Sequence, residues 1–314
     1  MTDSKETPVQ FGPDGSLLGI VTTPNDGSME PVACLLLNMG ATHRIGPRRI
    51  NVKVARRLAS HGISTIRIDL AGLGDSRAAS GAEHYRTQAV QDMQAAMNLM
   101  GTMLGVRRFV VIGLCSGSAN GLSLAVADSR VVGVLMFDGY SFPGRRSLME
   151  RNFRRALAAI SNAAMIGKTS RWLHRLVSSK AAAAIAPDMF EPDAPEVTAA
   201  SFRRSMTQVV ERNVAMLLLY SGTMHVVDRH RDQLGPFAND PFVKQIEYMF
   251  DPTLDHSLTS LAAQETFMTI ASDWVLRVAH REAPPSVHGA LTTTSSGSSG
   301  TLPGKLALAR DAIA

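Results

Sequence analysis

The residues best suited to chemistry lie in Gly113-Leu114-Cys115-Ser116-Gly117, where a strand-like apolar run meets an Ala-rich helical pattern. In a G-x-nucleophile-x-G turn the central residue is strained, and the glycines on either side let strand and helix approach closely. Cys115 has both glycines, whereas Ser116 and Ser118 do not. A helix N-terminus also favours the reactive thiolate. The alternative is a buried structural cysteine, and the flanking glycines argue against it.

The elements that must position this turn are short apolar runs that alternate with helical patterns. Runs of this kind without polar alternation are typical of strands buried on both faces, and their alternation with helices predicts a mostly parallel, doubly wound α/β sheet. Residues 49–61 and the stripe ending at Leu104 predict helices. Residues 17–23 predict an antiparallel edge strand. The other predicted strands are 32–38, 64–70, 109–115, 131–138, 214–222 and 245–250.

The alternation breaks between Tyr140 and Asn213, where helical patterns follow one another. This predicts a helical cap over 141–213, inserted into a core formed by 1–140 and 214–282. Within it, residues 141–180 hold nine Lys or Arg and one acid, Glu150, a net charge of +8. Two interpretations stay open, a solvated helix face and a surface that attracts an anionic substrate or partner. Residues 283–314 include a Ser/Thr/Gly run and predict a disordered tail.

Composition narrows the classes of protein that remain. Of the 314 residues, 45% are hydrophobic and 19% charged, which excludes wholesale disorder and a disulfide-built miniature. Cys34 and Cys115 lack partners at metal spacing, so we expect no metal and no cofactor. No apolar run is long enough to span a bilayer and no export signal begins the chain, which predicts a cytoplasmic protein. The net charge of +5 comes without a nucleic-acid motif, so DNA or RNA is a disfavoured partner.

Two further segments carry a family resemblance. Asp69-Leu70-Ala71-Gly72-Leu73-Gly74-Asp75-Ser76 is similar to a D-x-x-G-x-G-x-S turn, and Leu35-Leu36-Leu37-Asn38-Met39-Gly40-Ala41 is similar to the loop after the third strand. Together with the cysteine turn they resemble the α/β-hydrolase superfamily over residues 17–280. Within it, N-M-G-A-T-H-R-I-G-P-R-R and G-L-C-S-G-S look most like hydrolases that accompany exopolysaccharide and exosortase gene clusters. The cysteine nucleophile also resembles that of dienelactone hydrolase.

The resemblance implies a catalytic triad in the chain order nucleophile, acid, histidine. His256 follows the last strand-like run and fits the histidine. The family's usual acid position after the seventh strand is occupied by Met224 or its neighbours, none of them acidic, so Asp228 is the predicted acid and Asp138 its competitor. A Cys-His dyad or a weakened enzyme stays open.

The same resemblance implies the remaining site residues. Backbone N–H groups of Ser116 and of the Gly40-Ala41 turn would form the oxyanion hole. His43, Arg44 and Asp138 are candidates for substrate binding, the two basic residues toward an anionic group.

Two functions from different classes follow from these residues. The first is an ester or thioester hydrolase, or an acyltransferase, that acts on a small-molecule or acyl substrate through an acyl-enzyme on Cys115. The second is a catalytically weak or inactive scaffold that uses the basic cap to bind an anionic partner. The sequence leaves the substrate and the oligomeric state open.

Overall fold

The computed structural model describes residues 4–79, 84–150, 152–153, 194–223, 228 and 231–281. All of these except Arg281 belong to one unit, Met1–His280. A second unit, Arg281–Ala314, has Arg281 as its single described residue. The predicted tail over 283–314 therefore lies outside the described residues.

Eight strands of the described residues form one sheet in the order β1-β2-β4-β3-β5-β6-β7-β8. Every pair from β4 across to β8 is parallel, while β1 and β2 run antiparallel to their neighbours. The predicted α/β class and mostly parallel sheet are confirmed. The strands are β1 Ser4–Phe11, β2 Leu17–Pro24, β3 Val32–Leu37, β4 Ser64–Asp69, β5 Arg108–Leu114, β6 Val131–Phe137, β7 Ala215–Ser221 and β8 Glu247–Asp251.

The first strand, β1, corrects the expected edge of the sheet. We predicted residues 17–23 at the edge, and their antiparallel pairing is confirmed, but β1 lies outside them. Its side chains are mostly half-exposed, so no apolar run marks it in the sequence. Pro8 suits an edge because it has no N–H to donate to a further strand. Glu6 ties β1 inward, with its carboxylate 3.0 Å from Arg67 and 2.8 Å from Arg56.

Helices cover both faces of the sheet. One face buries residues of α1 and α5, and the other face buries residues of α2, α3 and α4. The predicted methionine stripe is confirmed, since Met93, Met97 and Met100 are fully buried. Among these helices we find no candidate for a bilayer-spanning segment. The helices are α1 Ile50–Ala59, α2 Tyr85–Leu104, α3 Ser116–Ala127, α4 Pro195–Glu211 and α5 Leu261–Ala279.

The last helix of the predicted cap, α4, packs with the core. Its residues Phe202, Met206 and Val209 are buried in the same hydrophobic cluster as α2 and α3. Residues 154–193, which hold most of the predicted cap and of its basic charge, lie outside the described residues. The cap therefore stays a prediction.

The chain that leaves β6 toward the predicted cap is fastened at its root. The Tyr220 hydroxyl donates to the carbonyl oxygen of Tyr140 at 2.7 Å. The Phe142 N–H donates to the Gln233 carbonyl oxygen at 2.7 Å, and the Ser141 hydroxyl donates to Gln233 Oε1 at 2.9 Å. The first residues beyond β6 are thus bound to β7 and to the loop that follows it.

Candidate active site

Cys115 lies at the turn between β5 and α3, at the carboxyl edge where the parallel strands end. Its backbone has φ +52° and ψ −115°, a conformation that costs energy for any residue but glycine. The Cys115 N–H donates to the Phe137 carbonyl oxygen at 2.8 Å, and the Ser118 N–H donates to the Cys115 carbonyl oxygen at 3.0 Å. These bonds hold the strained turn, and the thiol is partly exposed.

The two glycines of the turn are sterically required. A Cβ added to Gly113 would lie 2.4 Å from the Gly117 carbonyl oxygen, and one added to Gly117 would lie 2.5 Å from that of Asn38. Strand, helix and the end of β3 therefore approach as closely as the glycine spacing predicts.

The neighbouring serine hydroxyls are engaged by the backbone. Ser118 is fully buried, and its hydroxyl donates to the Gly113 carbonyl oxygen at 2.8 Å. Ser116 is exposed, and its hydroxyl oxygen accepts the Gly40 N–H at 2.6 Å. This second bond joins the start of α3 to the loop after β3, where Gly40 has φ +52°.

His256 lies in the loop between β8 and α5 and connects the thiol to a carboxylate. Its Nδ1 is 3.0 Å from Asp138 Oδ2, and its ring also shares a hydrogen bond with the Cys115 side chain. Because Asp138 occupies Nδ1, Nε2 is the atom left for Cys115. The hydrogen bonds with Asp138 and then Cys115 outweigh partial burial and raise the pKa of His256 to about 10.

The carboxylate at His256 is Asp138 and not Asp228, which corrects the predicted pairing. Asp138 follows β6 with φ +49°, its side chain is fully buried, and its N–H donates to the Leu219 carbonyl oxygen on β7. Asp228 is turned elsewhere: its Oδ1 accepts the Asp232 N–H at 2.7 Å and its Oδ2 accepts the Tyr248 hydroxyl. Met224, where we noted the missing acid, lies outside the described residues.

Ser221 and Thr223, which our sequence analysis did not single out, complete the surroundings of Asp138. Ser221 ends β7 and donates its N–H to Asp138 Oδ1 at 2.7 Å and its hydroxyl to Oδ2 at 2.6 Å. Thr223 accepts the backbone N–H of His256 at 2.8 Å. The available signal was a polar Ser-Gly-Thr sequence directly after a buried strand that neighbours the strand of Asp138.

Arg44 and His43, the candidates for an anionic ligand, lie against acids of this chain. The Arg44 N–H donates to Asp69 Oδ1 at 2.6 Å, and its guanidinium contacts Asp69 and also Asp75 at 2.8 Å. His43 Nε2 lies 3.1 Å from Asp75. Gly74 makes room for this cluster, since a Cβ there would lie 2.3 Å from the Asp69 carboxylate.

The ligand atoms of His43, Asp69 and Asp75 lie within 4.8 Å of one another, close enough for a metal ion. The Arg44 guanidinium contacts both carboxylates, so the cluster is an ion-pair network that holds the loop after β3 to the turn after β4.

A family model described as alpha/beta hydrolase family matches residues 40–290, most of the chain. The chain belongs to this family. A search of curated proteins finds no match. The general chemistry of this family is hydrolysis. The cysteine, histidine and aspartate of the site are therefore candidates for that reaction.

Solved structures support the same fold. Similar ones include a dienelactone hydrolase from Anabaena variabilis, Est1E from Butyrivibrio proteoclasticus and a proline iminopeptidase from Mycobacterium smegmatis. Their identities to this chain are 14%, 15% and 18%, with TM-scores of 0.52, 0.52 and 0.51. The alignments cover 87%, 87% and 88% of this chain and 98%, 99% and 99% of theirs. At these identities the likeness supports the fold and not a substrate.

Proposed function

We propose that this α/β hydrolase cleaves an ester or thioester through a covalent acyl-enzyme on Cys115, with His256 as proton carrier and Asp138 as the acid that orients it. One observation carries the proposal: His256 is hydrogen-bonded to the Cys115 side chain while its Nδ1 lies 3.0 Å from the buried Asp138 carboxylate. A nucleophile, a base within reach and a group that orients the base are what nucleophilic catalysis requires.

In the proposed first step, Cys115 Sγ attacks the substrate carbonyl carbon as the thiolate partner of a protonated His256, whose pKa of about 10 keeps the shared proton on Nε2 at neutral pH. The new S–C bond pushes the carbonyl π electrons onto oxygen. His256 then gives the proton to the leaving alkoxide or thiolate as the carbon–leaving-group bond breaks. Water, activated by the same imidazole, hydrolyses the acyl-enzyme. Asp138 stabilises the imidazolium throughout and is not itself protonated.

The oxyanion of each tetrahedral intermediate needs hydrogen-bond donors near Cys115. The Gly40 N–H already donates to Ser116 Oγ, so we assign the donors to the backbone N–H groups of Ser116 and Ala41. Each donor of this kind is worth roughly 10²-fold in rate. The Arg44–Asp69 ion pair supports the arrangement because it fixes the loop that carries Ala41.

Acyl transfer is the variant of this chemistry in which an acceptor hydroxyl replaces water at the acyl-enzyme. The scaffold function has two motives, the missing acid near Met224 and the basic charge of residues 141–180, and most of that basic segment lies outside the described residues. Asp138 supplies a carboxylate to His256 from a neighbouring strand.

Cys115→Ala tests the proposal, with Cys34→Ala as its matched control. Cys34 is a fully buried thiol on β3, and burial raises its pKa, so it should resist alkylation. On a panel of p-nitrophenyl esters and acyl thioesters, Cys115→Ala should lose roughly 10³-fold or more in kcat and should no longer react with iodoacetamide at position 115. Cys34→Ala should keep both properties. Equal turnover by Cys115→Ala and the wild type would rule out the proposal.

A further inference from the structure

A closed ring of hydrogen bonds joins the ends of β6 and β7 to the loop that carries His256. The Ser221 hydroxyl lies 2.6 Å from Asp138 Oδ2, and Thr223 Oγ1 lies 2.9 Å from Ser221 Oγ. The backbone nitrogen of His256 lies 2.8 Å from Thr223 Oγ1, and the ring Nδ1 of His256 lies 3.0 Å from Asp138 Oδ2. The ring therefore begins and ends at His256.

The chemistry of the donors fixes the direction of every bond in this ring. A carboxylate only accepts hydrogen bonds, so Ser221 donates its proton to Asp138 and accepts one from Thr223. Thr223, having donated its own proton, accepts the His256 backbone N–H. Nδ1 must then carry the proton that it shares with Asp138, and Nε2 is left to face Cys115.

We infer that Ser221 and Thr223 are positioning residues, which hold Asp138 and His256 so that the imidazole keeps its proton on Nδ1 and presents Nε2 to Cys115. The inference rests on the proposed function, because only that function requires Nε2 of His256 to face Cys115. Ser221 is fully buried and binds both carboxylate oxygens, so Asp138 cannot rotate without losing a hydrogen bond.

The surroundings of the imidazole allow the ring to be tested through the pKa of His256. The titratable groups that share hydrogen bonds with the imidazole are Asp138 and Cys115, and they raise that pKa to about 10. Asp255, the neighbouring acid, instead accepts backbone N–H groups of Ser257 and Thr259. Loss of a hydrogen bond that positions Asp138 should therefore change the pKa of His256 in a titration.

The test compares Ser221→Ala and Thr223→Val, which each remove one hydroxyl, with Thr223→Ser, which keeps it. Ser272→Ala is the matched control, because that buried hydroxyl bonds to a helical carbonyl of α5. NMR titration should show the pKa of His256 falling from about 10 toward 6.5 in the first two variants. Alkylation of Cys115 by iodoacetamide at neutral pH should slow about tenfold in Ser221→Ala and about threefold in Thr223→Val, as expected for one lost hydrogen bond. Thr223→Ser and Ser272→Ala should match the wild type.

Unchanged titration and alkylation in folded Ser221→Ala and Thr223→Val would overturn the inference, as would an equal loss in Ser272→Ala. Thr223 is exposed, so Thr223→Val remains informative even where Ser221→Ala fails to fold. Neither measurement uses substrate turnover. A wild type without hydrolase activity whose His256 responds to these variants would refute the proposed function alone, whereas an active wild type whose His256 does not respond would refute the ring alone.

Discussion

Two buried carboxylates at the same edge of the sheet, Asp138 after β6 and Asp69 at the end of β4, have similar surroundings and different partners. Asp138 accepts the Ser221 N–H and hydroxyl and lies against His256. Asp69 accepts backbone N–H groups of Arg44 and Asp75 and the Arg44 guanidinium. Arginine keeps its proton under all ordinary conditions, whereas histidine is a group that gains and loses one, and the pKa of His256 is raised to about 10.

The basic partner, and not the buried acid, decides what each pair can do. The Arg44–Asp69 pair joins two loops permanently and so fixes the loop after β3. The His256–Asp138 pair has one ring nitrogen toward Cys115 and so can pass a proton on. The Arg44–Asp69 pair therefore has a structural role, and the His256–Asp138 pair has the proposed catalytic role.

Replacing the acids should give the largest and clearest separation. Asp138→Asn removes the acceptor that sets the tautomer of His256 and should lower kcat by about 10⁴-fold on whichever ester or thioester the wild type cleaves. Asp228→Asn, the control at the other candidate acid, should lower kcat less than about tenfold, because Asp228 contacts Tyr248 and Asp232 instead. Equal losses in the two variants would return Asp228 to the triad.

Stability should separate the pairs by their response to pH. The folded-state pKa of His256, about 10, lies above its ordinary 6.5, so its pairing stabilises the fold fully below pH 6.5 and loses this contribution as the pH rises through 10. His256→Asn should therefore lower the Tm more at about pH 6 than at about pH 10.5.

Arg44→Met is the comparison for that measurement. Burial lowers the pKa of Arg44, but hydrogen bonds with Asp75 and Asp69 outweigh burial and raise it above its usual value. Its loss leaves Asp69 buried without a cation and should lower the free energy of unfolding by about 3 kcal/mol at both pH values. A deficit in His256→Asn that stays constant with pH would contradict the distinction between the two pairs.

The smallest effect should come from the bond between the two halves of the site. Ser116→Ala removes the acceptor of the Gly40 N–H and should lower kcat about fivefold with KM little changed, the cost of one hydrogen bond that aligns an oxyanion donor. Ser123→Ala, on the same helix, is the control and should have no effect. A raised KM with unchanged kcat would instead place Ser116 in substrate binding.

The fold could be predicted from the sequence wherever a buried element has a recognisable pattern of apolar residues. Strands β3, β5, β6 and β7 are nearly fully buried and are marked by mostly apolar runs, and the glycines around Cys115 reflect a close approach that a Cβ would block. Strand β1 was missed because an edge strand with half-exposed side chains carries polar residues and a proline. Its place in the sheet depends on pairing with β2, which no local pattern encodes.

The candidate site was accessible only in part. Cys115 and His256 are marked by the turn and by the strand before the loop, and the structure brings their side chains together. The choice between Asp138 and Asp228 depends on the positive φ of Asp138 and on the hydroxyl of Ser221, a contact between residues 83 positions apart. Arg44 is a candidate for an anionic ligand in the sequence because the acids that pair with it lie 25 and 31 residues away.

The hydrogen bonds that hold residues 140–142 beyond β6 have a consequence for how the sequence after them can vary. Tyr140 and Phe142 are bound to β7 and to Gln233 within four residues of Asp138, so the backbone next to the carboxylate is held from both sides of the loop. Residues after Gly144 can then lengthen, shorten or change charge while the acid keeps its alignment. Under the proposed function, substrate preference could change there while the residues proposed to transfer the proton stay in place.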